Sequence, residues 1–212
     1  MTNLLRKKFR YRYFNATLIL ILINVVMFIL SLMMPKLKYL LSMNPVLVIR
    51  YKWVWQFVTC MFMHANIQHI FFNMLGLLMF GIQVEKSLGS KEFLLLYFVC
   101  GTLANVFSFV VYMLSGQYNV FLLGASGALY SVLFAFAVIF PTVRVFIFGI
   151  LPVPGPVLIL LYTVIELGSQ LFGLSGGVAH MTHLFGFAAA WAYFVIRIGV
   201  NPIKIWKNAL RH

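Results

Sequence analysis

Aspartate is missing from this chain, and Glu85, Glu92 and Glu166 are its only acids. A Ser-His-Asp triad and a paired-aspartate site are therefore excluded. Charge of either sign is scarce. Of the 212 residues, 9% are charged and 63% are hydrophobic, whereas a soluble domain carries about 25% charged residues. This composition excludes an ordinary soluble globule and leaves a polytopic membrane protein. Cysteine is limited to Cys60 and Cys100, both inside apolar runs, so no disulfide framework is expected. The net charge of +13 does not imply a nucleic-acid partner, because the basic residues crowd the ends. Arg6, Lys7, Lys8, Arg10 and Arg12 precede the first apolar run, and Arg197, Lys204, Lys207 and Arg211 follow the last. Flanking positive charge is the positive-inside signal and attracts anionic lipid.

Six apolar spans can be marked out between charges and turn residues. Ala16–Met34 is long enough to cross a bilayer core, which takes about 20 helical residues. It is longer than a signal h-region and lacks a small-x-small cleavage site, so it reads as retained. Pro35–Tyr51 is a polar and aromatic connection, and Trp53 and Trp55 look like interfacial anchors. Asn66 is an N-cap candidate for a second span running to about Gln83. The third opens at Lys91-Glu92 and ends near Leu114. Turn residues Ser115–Asn119 lead to a fourth, about Val120–Phe140. A Pro- and Gly-rich segment, Pro141–Pro156, precedes the fifth, about Val157–Phe172. After a turn at Gly173–Gly177 the sixth is about Val178–Ile196. Six spans place both basic termini inside. The first outer loop, with Lys36, Lys38, Arg50 and Lys52, dissents from the charge rule, while the other loops agree with it.

Polar residues inside these runs stand out, since ionisable groups at membrane depth are costly and by default mark function. They are His64, His69 with Asn73, Ser126, and the pair His180 and His183. With the N-terminus inside, spans two, four and six all enter from the outside. His69, Ser126 and His183 then lie at similar depth, roughly 5–10 Å below the outer surface. One shared level is what a single site requires.

A serine hydroxyl is a weak nucleophile and needs a base; His183 is the expected one for Ser126. No carboxylate is available to orient it, so a Ser-His dyad is expected. Glu166, deep in span five, is expected to be neutral and bonded to helix backbone. His69 and Asn73 are four residues apart on one helix face, and both can donate hydrogen bonds to a developing oxyanion. His64 lies off that face and is expected to be structural. Gly124, Ala125 and Gly127 leave the backbone beside Ser126 uncovered. That suits a nucleophile, and it equally suits close helix packing of the small-xxx-small kind, as do Gly186 and Ala190.

At this point the residues resemble the rhomboid family of intramembrane serine proteases, over about Trp55 to Ala190. Gly124-Ala-Ser-Gly127 resembles the family's nucleophile motif, with Tyr130 at the following tyrosine position. His64-Ala-Asn-Ile-Gln-His69-Ile-Phe-Phe-Asn73 resembles the second-helix motif. Ala179-His180-Met-Thr-His183-Leu-Phe-Gly186 resembles the sixth-helix motif; His183 fits its spacing through Gly186 and Ala190, and His180 does not. Glu85-Lys86-x-x-Gly89 matches the inner loop after span two. The family's first outer loop often has Trp-Arg, whereas Trp55 is followed here by Gln56, which bears on lipid contact or loop stability.

The resemblance implies an all-α six-transmembrane-helix bundle at 16–198, flanked by basic cytoplasmic segments at 1–15 and 199–212. It implies a serine endopeptidase with Ser126 as nucleophile and His183 as base. His69, Asn73 and the Ser126 N–H would stabilise the oxyanion, supported by Gly124, Gly127, Tyr130, Gly186 and His64. Substrates would be transmembrane proteins cut near the outer membrane boundary, at helices that unwind readily. No cofactor, metal or nucleic acid is expected, and the lipid bilayer is the surrounding partner. Without an Arg- and Ser-rich presequence, a bacterial cell membrane is expected. Two alternatives stay open. One is a rhomboid-like protein that binds membrane clients without cutting them, although such relatives usually lack the Ser or the His. The other is a metal or haem protein using His64, His69, His180 and His183, in which no carboxylate or Cys joins the cluster. A transporter is a more distant alternative, because no inverted repeat is evident.

Overall fold

The computed structural model of the chain describes residues 6, 9–147, 149–171 and 178–211. It is a helical membrane bundle. The elements are α1 (Ala16–Met33), three short helices α2 (Lys36–Leu41), α3 (Pro45–Tyr51) and α4 (Gln56–Thr59), then α5 (Ile67–Gly76) and α6 (Ile82–Leu88). There follow α7 (Ser90–Leu114), α8 (Ser126–Ile139), a hairpin of β1 (Arg144–Ile147) and β2 (Leu151–Pro154), α9 (Gly155–Leu171), α10 (Val178–Tyr193) and α11 (Pro202–Ala209). A π-helical turn at Leu77–Gly81 joins α5 to α6 without a break, and another at Phe194–Ile198 extends α10. Among the described residues four apolar helices are long enough to cross a membrane: α1, 67–88, α7 and 180–198; α8 and α9 are shorter. The expected turn at Gly173–Gly177, the end of span five at Phe172, and Lys7 and Lys8 lie outside the described residues.

The outer surface of α1 shows what solvent the bundle is built for. Leu22, Val26, Ile29 and Met33 follow the helical repeat and are exposed, while Leu20, Asn24, Phe28 and Ser31 are buried on the other side. The apolar stripe faces out and the polar residues face in, the reverse of a soluble helix. At the centre stands α8. Ser131 to Val138 are all buried, so this helix is covered on every side. It packs against α7, α9 and α10. The close approach of α10 is set by glycine. A methyl group on Gly186 would fall far inside contact of the Gly127 carbonyl oxygen. The Ser131 hydroxyl bridges the same junction, donating to Gly127 O at 3.1 Å and Gly186 O at 2.9 Å.

Two acids hold the far ends of helices. Glu85 is fully buried and accepts from the N–H groups of Ala16 at 2.6 Å and Thr17 at 2.8 Å. It thus caps α1, whose own N-cap residue Asn15 makes no side-chain cap bond. An anion there also meets the positive end of the helix dipole. Gly89, at φ 82°, lets the chain turn so that Ser90 N–H reaches Arg12 O at 2.7 Å. Glu92 takes Arg197 in a two-pronged pair, Nε to Oε1 and Nη2 to Oε2, both at 2.9 Å, and ties α7 to the end of the last span.

The fourth helix starts later than its hydropathy suggests. The sequence places it from about Val120, but α8 opens at Ser126. Residues 120–124 are held extended by the first loop. Met43 and Leu122 exchange backbone bonds at 2.9 Å, Asn44 Nδ2 reaches Val120 O at 2.9 Å, and Gly124 N reaches Cys60 O at 2.9 Å. Irregular backbone at this depth survives because it is buried in protein, where its polar groups are paired. The loop that does this is pinned by Gln56, the residue standing where the resemblance expects Arg. Its buried amide accepts from Asn44 N at 3.1 Å and donates to Tyr39 O at 3.3 Å and Leu40 O at 3.1 Å. Loop anchoring is therefore not lost with the Arg.

Candidate active site

Ser126 is the first residue of α8, preceded by Ala125 as its cap and by Gly124 at φ 125°. A helix start leaves its first N–H groups without intrahelical partners, so the Ser126 hydroxyl sits beside free backbone donors. Gly124 is required twice over. Its φ is one that side chains avoid, and a methyl group there would lie 2.7 Å from His69 Cε1 and Nε2 and 3.7 Å from Asn73 Nδ2. The glycine therefore leaves the space between Ser126 and the second-helix pair open.

The sixth-helix histidine meets the serine. His183 Nε2 lies 2.9 Å from Ser126 Oγ. The Tyr130 ring stacks on the imidazole, with 4.1 Å between centroids and 15° between planes. Gly127 lets Thr182 close in, 3.1 Å from where its Cβ would be, and Thr182 Oγ1 is 2.7 Å from Ser108 on α7. Two helices, α7 and α8, thereby hold the residue next to His183.

On the other side of His183 the structure departs from expectation. Glu166 on α9 is buried and lies with Oε1 2.8 Å from His183 Nδ1. The same oxygen accepts from Tyr130 Oη at 2.5 Å, and Oε2 meets Nδ1 of His180. The sequence offers His183 no evident carboxylate and leads one to expect Glu166 against helix backbone; the contacts of Glu166 overturn both expectations. A span-five acid separated by 17 residues from its histidine cannot be paired with it by spacing alone. Energetics favours the arrangement. Burying a carboxylate costs several kcal/mol, but three donors converge on this one, and bonds to charged groups contribute about 1.5–3 kcal/mol each.

The second-helix pair faces the same space. Asn66 caps α5, as its sequence position suggests, by accepting from His69 N at 2.8 Å. This places His69 in the first turn and Asn73 one turn on. His69 Nδ1 accepts from Ala65 N at 3.4 Å. The proton of the neutral ring is then on Nε2, which with Cε1 borders the space beside Gly124. Asn73 is buried, and its Nδ2 has no hydrogen-bond partner among the described residues. His64 lies in the connection before α5, fully buried, with its ring 5.1 Å from that of His69 at 70°. Burial pushes its pKa down to about 3, with His69 and then Lys38 acting in the same direction, so it is neutral at ordinary pH.

A cavity of about 750 Å³ opens from these residues, lined by His69, Asn73, Ser126, Tyr130 and His183 among others. Its walls include apolar side chains of α5, the π-helical turn after it and α9, among them Phe72, Met79, Leu158 and Tyr162, and the hairpin residues Val145–Ile147 also line it. The hairpin was not foreseen, because Pro141–Pro156 was read only as a Pro- and Gly-rich segment. Among the described residues the group best placed to share a metal ion is Glu166, His180 and His183, whose ligand atoms lie within 4.8 Å of one another.

The family model described as a Rhomboid domain matches residues 51–199. The chain belongs to the rhomboid family. It is 31% identical over 88 residues to a putative rhomboid protease of Bacillus subtilis, YdcA, covering 41% of this chain and 42% of that protein. It is 37% identical over 82 residues to RHOMBOID-like protein 1 of Arabidopsis thaliana, covering 38% of this chain and 19% of that protein. With the Bacillus subtilis rhomboid protease GluP the figures are 35% over 79 residues, 37% and 14%. The matched part spans less than half the length of each of these relatives. Within this rhomboid, Ser126, His183, His69, Asn73 and Tyr130 line the cavity; Gly124 lies against His69, Gly127 and Gly186 meet at the α8–α10 contact, and the His64 ring lies against that of His69. Glu166 and His180 join the cluster; the sequence singles out His180 beside His183 but gives it no role in the protease reading, and it gives Glu166 none. The signal was present: Glu166 is an acid inside an apolar span, and the rule that singled out the histidines applies to it equally.

Proposed function

We propose that this chain is an intramembrane serine endopeptidase that cleaves transmembrane proteins. The observation that carries the reading is the 2.9 Å contact between His183 Nε2 and Ser126 Oγ, in the lining of a largely apolar cavity. In this mechanism Ser126 Oγ attacks the scissile carbonyl while His183 Nε2 takes its proton. The oxyanion is stabilised by His69 Nε2–H, Asn73 Nδ2–H and the Ser126 backbone N–H. Collapse breaks the C–N bond, and Nε2 returns the proton to the leaving amine, which leaves an acyl ester on Ser126. Water then repeats the sequence and releases the acid. Preorganised donors of this kind are each worth about 100- to 1000-fold in rate.

The apolar cavity walls suit a segment leaving a bilayer, and cleavage near the outer membrane boundary follows if both termini face the cytoplasm. The deciding experiment is reaction of detergent-purified protein with a serine-directed fluorophosphonate, beside Ser126→Ala and His183→Ala. Labelling of the wild type that disappears in both variants is expected. Folded wild type that resists this probe and a smaller electrophile would favour a client-binding rhomboid-like protein.

A further inference from the structure

We propose that Glu166 is the positioning carboxylate of a Ser126–His183–Glu166 triad, which makes this a three-residue relay instead of a two-residue one. The assignment rests on the protease reading above. It stands on five contacts. His183 bridges the other two members, with Nε2 2.9 Å from Ser126 Oγ and Nδ1 2.8 Å from Glu166 Oε1. The carboxylate is itself fixed, by Tyr130 Oη on Oε1 at 2.5 Å and by His180 Nδ1 on Oε2. Finally, Tyr130 stacks on the His183 ring, so the same side chain sets the ring plane and the carboxylate facing it.

The chemistry follows from the acceptor character of a carboxylate. Facing Oε1, Nδ1 of His183 must carry the proton, which leaves the Nε2 lone pair directed at Ser126. When Ser126 attacks, its proton moves to Nε2 and the imidazolium so formed lies between the acyl centre and an anion. Glu166 remains an acceptor throughout and exchanges no proton. It lowers the barrier by selecting the tautomer and by stabilising the imidazolium, as the third member of other triads does. A dyad has neither help. His180 shares the carboxylate and keeps it from rotating away, so it supports Glu166 and does not compete as a base. Its ring is held on the Oε2 side, whereas Ser126 meets His183.

A structural alternative must be separated from this. Glu166 lies on α9, and its bonds also tie that helix to α8 and α10. Under a purely structural role, Glu166→Gln is the mild change, because it keeps the shape and most hydrogen bonds, and Glu166→Asp is the harsher one. Under a positioning role the order reverses, because Asp keeps the charge and Gln loses it.

The experiment is the kinetics of fluorophosphonate labelling on the full chain in detergent, resolved into the maximal inactivation rate and the concentration for half-maximal rate. Glu166→Gln is expected to lower the maximal rate by about 100- to 10,000-fold, with the half-maximal concentration within about twofold of wild type. Glu166→Asp should recover part of the rate. A Gln variant as fast as wild type, or an Asp variant slower than Gln, would overturn the assignment. So would labelling that collapses in EDTA and returns with Zn²⁺, since the same three ligand atoms would then be a metal site. Nitrogen-15 NMR of the histidines gives a readout that does not depend on activity. His183 should carry its proton on Nδ1 in the wild type and lose that preference in Glu166→Ala; an Nε2–H tautomer in the wild type would overturn the proposal. Failure of the wild type to label would sink the protease reading alone, and the tautomer would still decide the role of Glu166.

Discussion

The Tyr130 ring lies flat on the His183 imidazole, and its hydroxyl donates to the Glu166 oxygen that also meets His183 Nδ1. One side chain thus sets both the plane of the expected base and the position of its carboxylate. The two contributions can be separated. Tyr130→Phe keeps the stack and removes one charge-assisted bond. It should slow fluorophosphonate labelling by about tenfold or less, equivalent to roughly 1.4 kcal/mol. Tyr130→Ala also removes the stack, worth about 0.5–1.5 kcal/mol, and should be slower still. A Phe variant as inert as Ser126→Ala would mean that the hydroxyl itself enters the chemistry.

Asn73 offers a test in which stability and activity move in opposite directions. Its Nδ2 is buried without a hydrogen-bond partner among the described residues, and an unmet buried donor costs about 1–3 kcal/mol. Asn73→Leu has similar volume and removes that cost. It should raise the thermal unfolding midpoint in detergent while lowering turnover of a transmembrane test substrate about 100- to 1000-fold. A midpoint that falls instead would mean that Asn73 is a structural bridge between helices. His69→Ala should lose a similar factor in turnover.

The bundle and the outline of the site were legible because the signals were local. Asn66 before an apolar run, His69 and Asn73 one turn apart, and Gly-Ala-Ser-Gly before a buried helix each declare themselves within a few residues. The start of α8 was not legible. Val120–Leu123 is as apolar as the helix that follows, and only the bridge to Met43 and the bond to Cys60 O keep it extended. Those partners are more than 60 residues away. Glu166 failed for the same reason: its three donors come from α8 and α10, and nothing in the sequence around it names them. Gln56 shows the converse. A departure from the family pattern looked like a loss, but the shorter polar side chain makes three bonds of its own.

Glu85 separates folding from chemistry. It lies 16 residues after His69 along one continuous helical run, about 24 Å away. It supplies the cap that Asn15 does not. Glu85→Ala leaves the Ala16 and Thr17 N–H groups without that acceptor. Loss of about 1–3 kcal/mol for each unmet group is expected, read as a lower unfolding midpoint. Labelling per folded molecule should stay at the wild-type rate. A large drop in that rate, at a temperature where the variant is fully folded, would mean that the α1–α6 junction communicates with Ser126.

One substitution at two glycines tests whether tight helix contact or catalysis explains the small residues. On α9, a methyl group on Gly168 would meet nothing within 4 Å. Gly168→Ala should be neutral or gain up to about 1 kcal/mol from the reduced entropy of the unfolded chain. On α10, a methyl group on Gly186 would press on the Gly127 carbonyl oxygen and come within 3.2 Å of Tyr130 Cβ. Backbone cannot yield there unless α10 moves off α8, and overpacking of this kind costs about 1–3 kcal/mol. His183 sits one turn before Gly186, so the same movement would stretch the 2.9 Å contact to Ser126. Gly186→Ala should therefore lose both unfolding temperature and labelling, whereas Gly168→Ala keeps both. If Gly186→Ala kept its labelling rate while melting lower, the glycine would serve packing alone, and the His183–Ser126 contact would be set by Tyr130 and Glu166 without help from the helix junction.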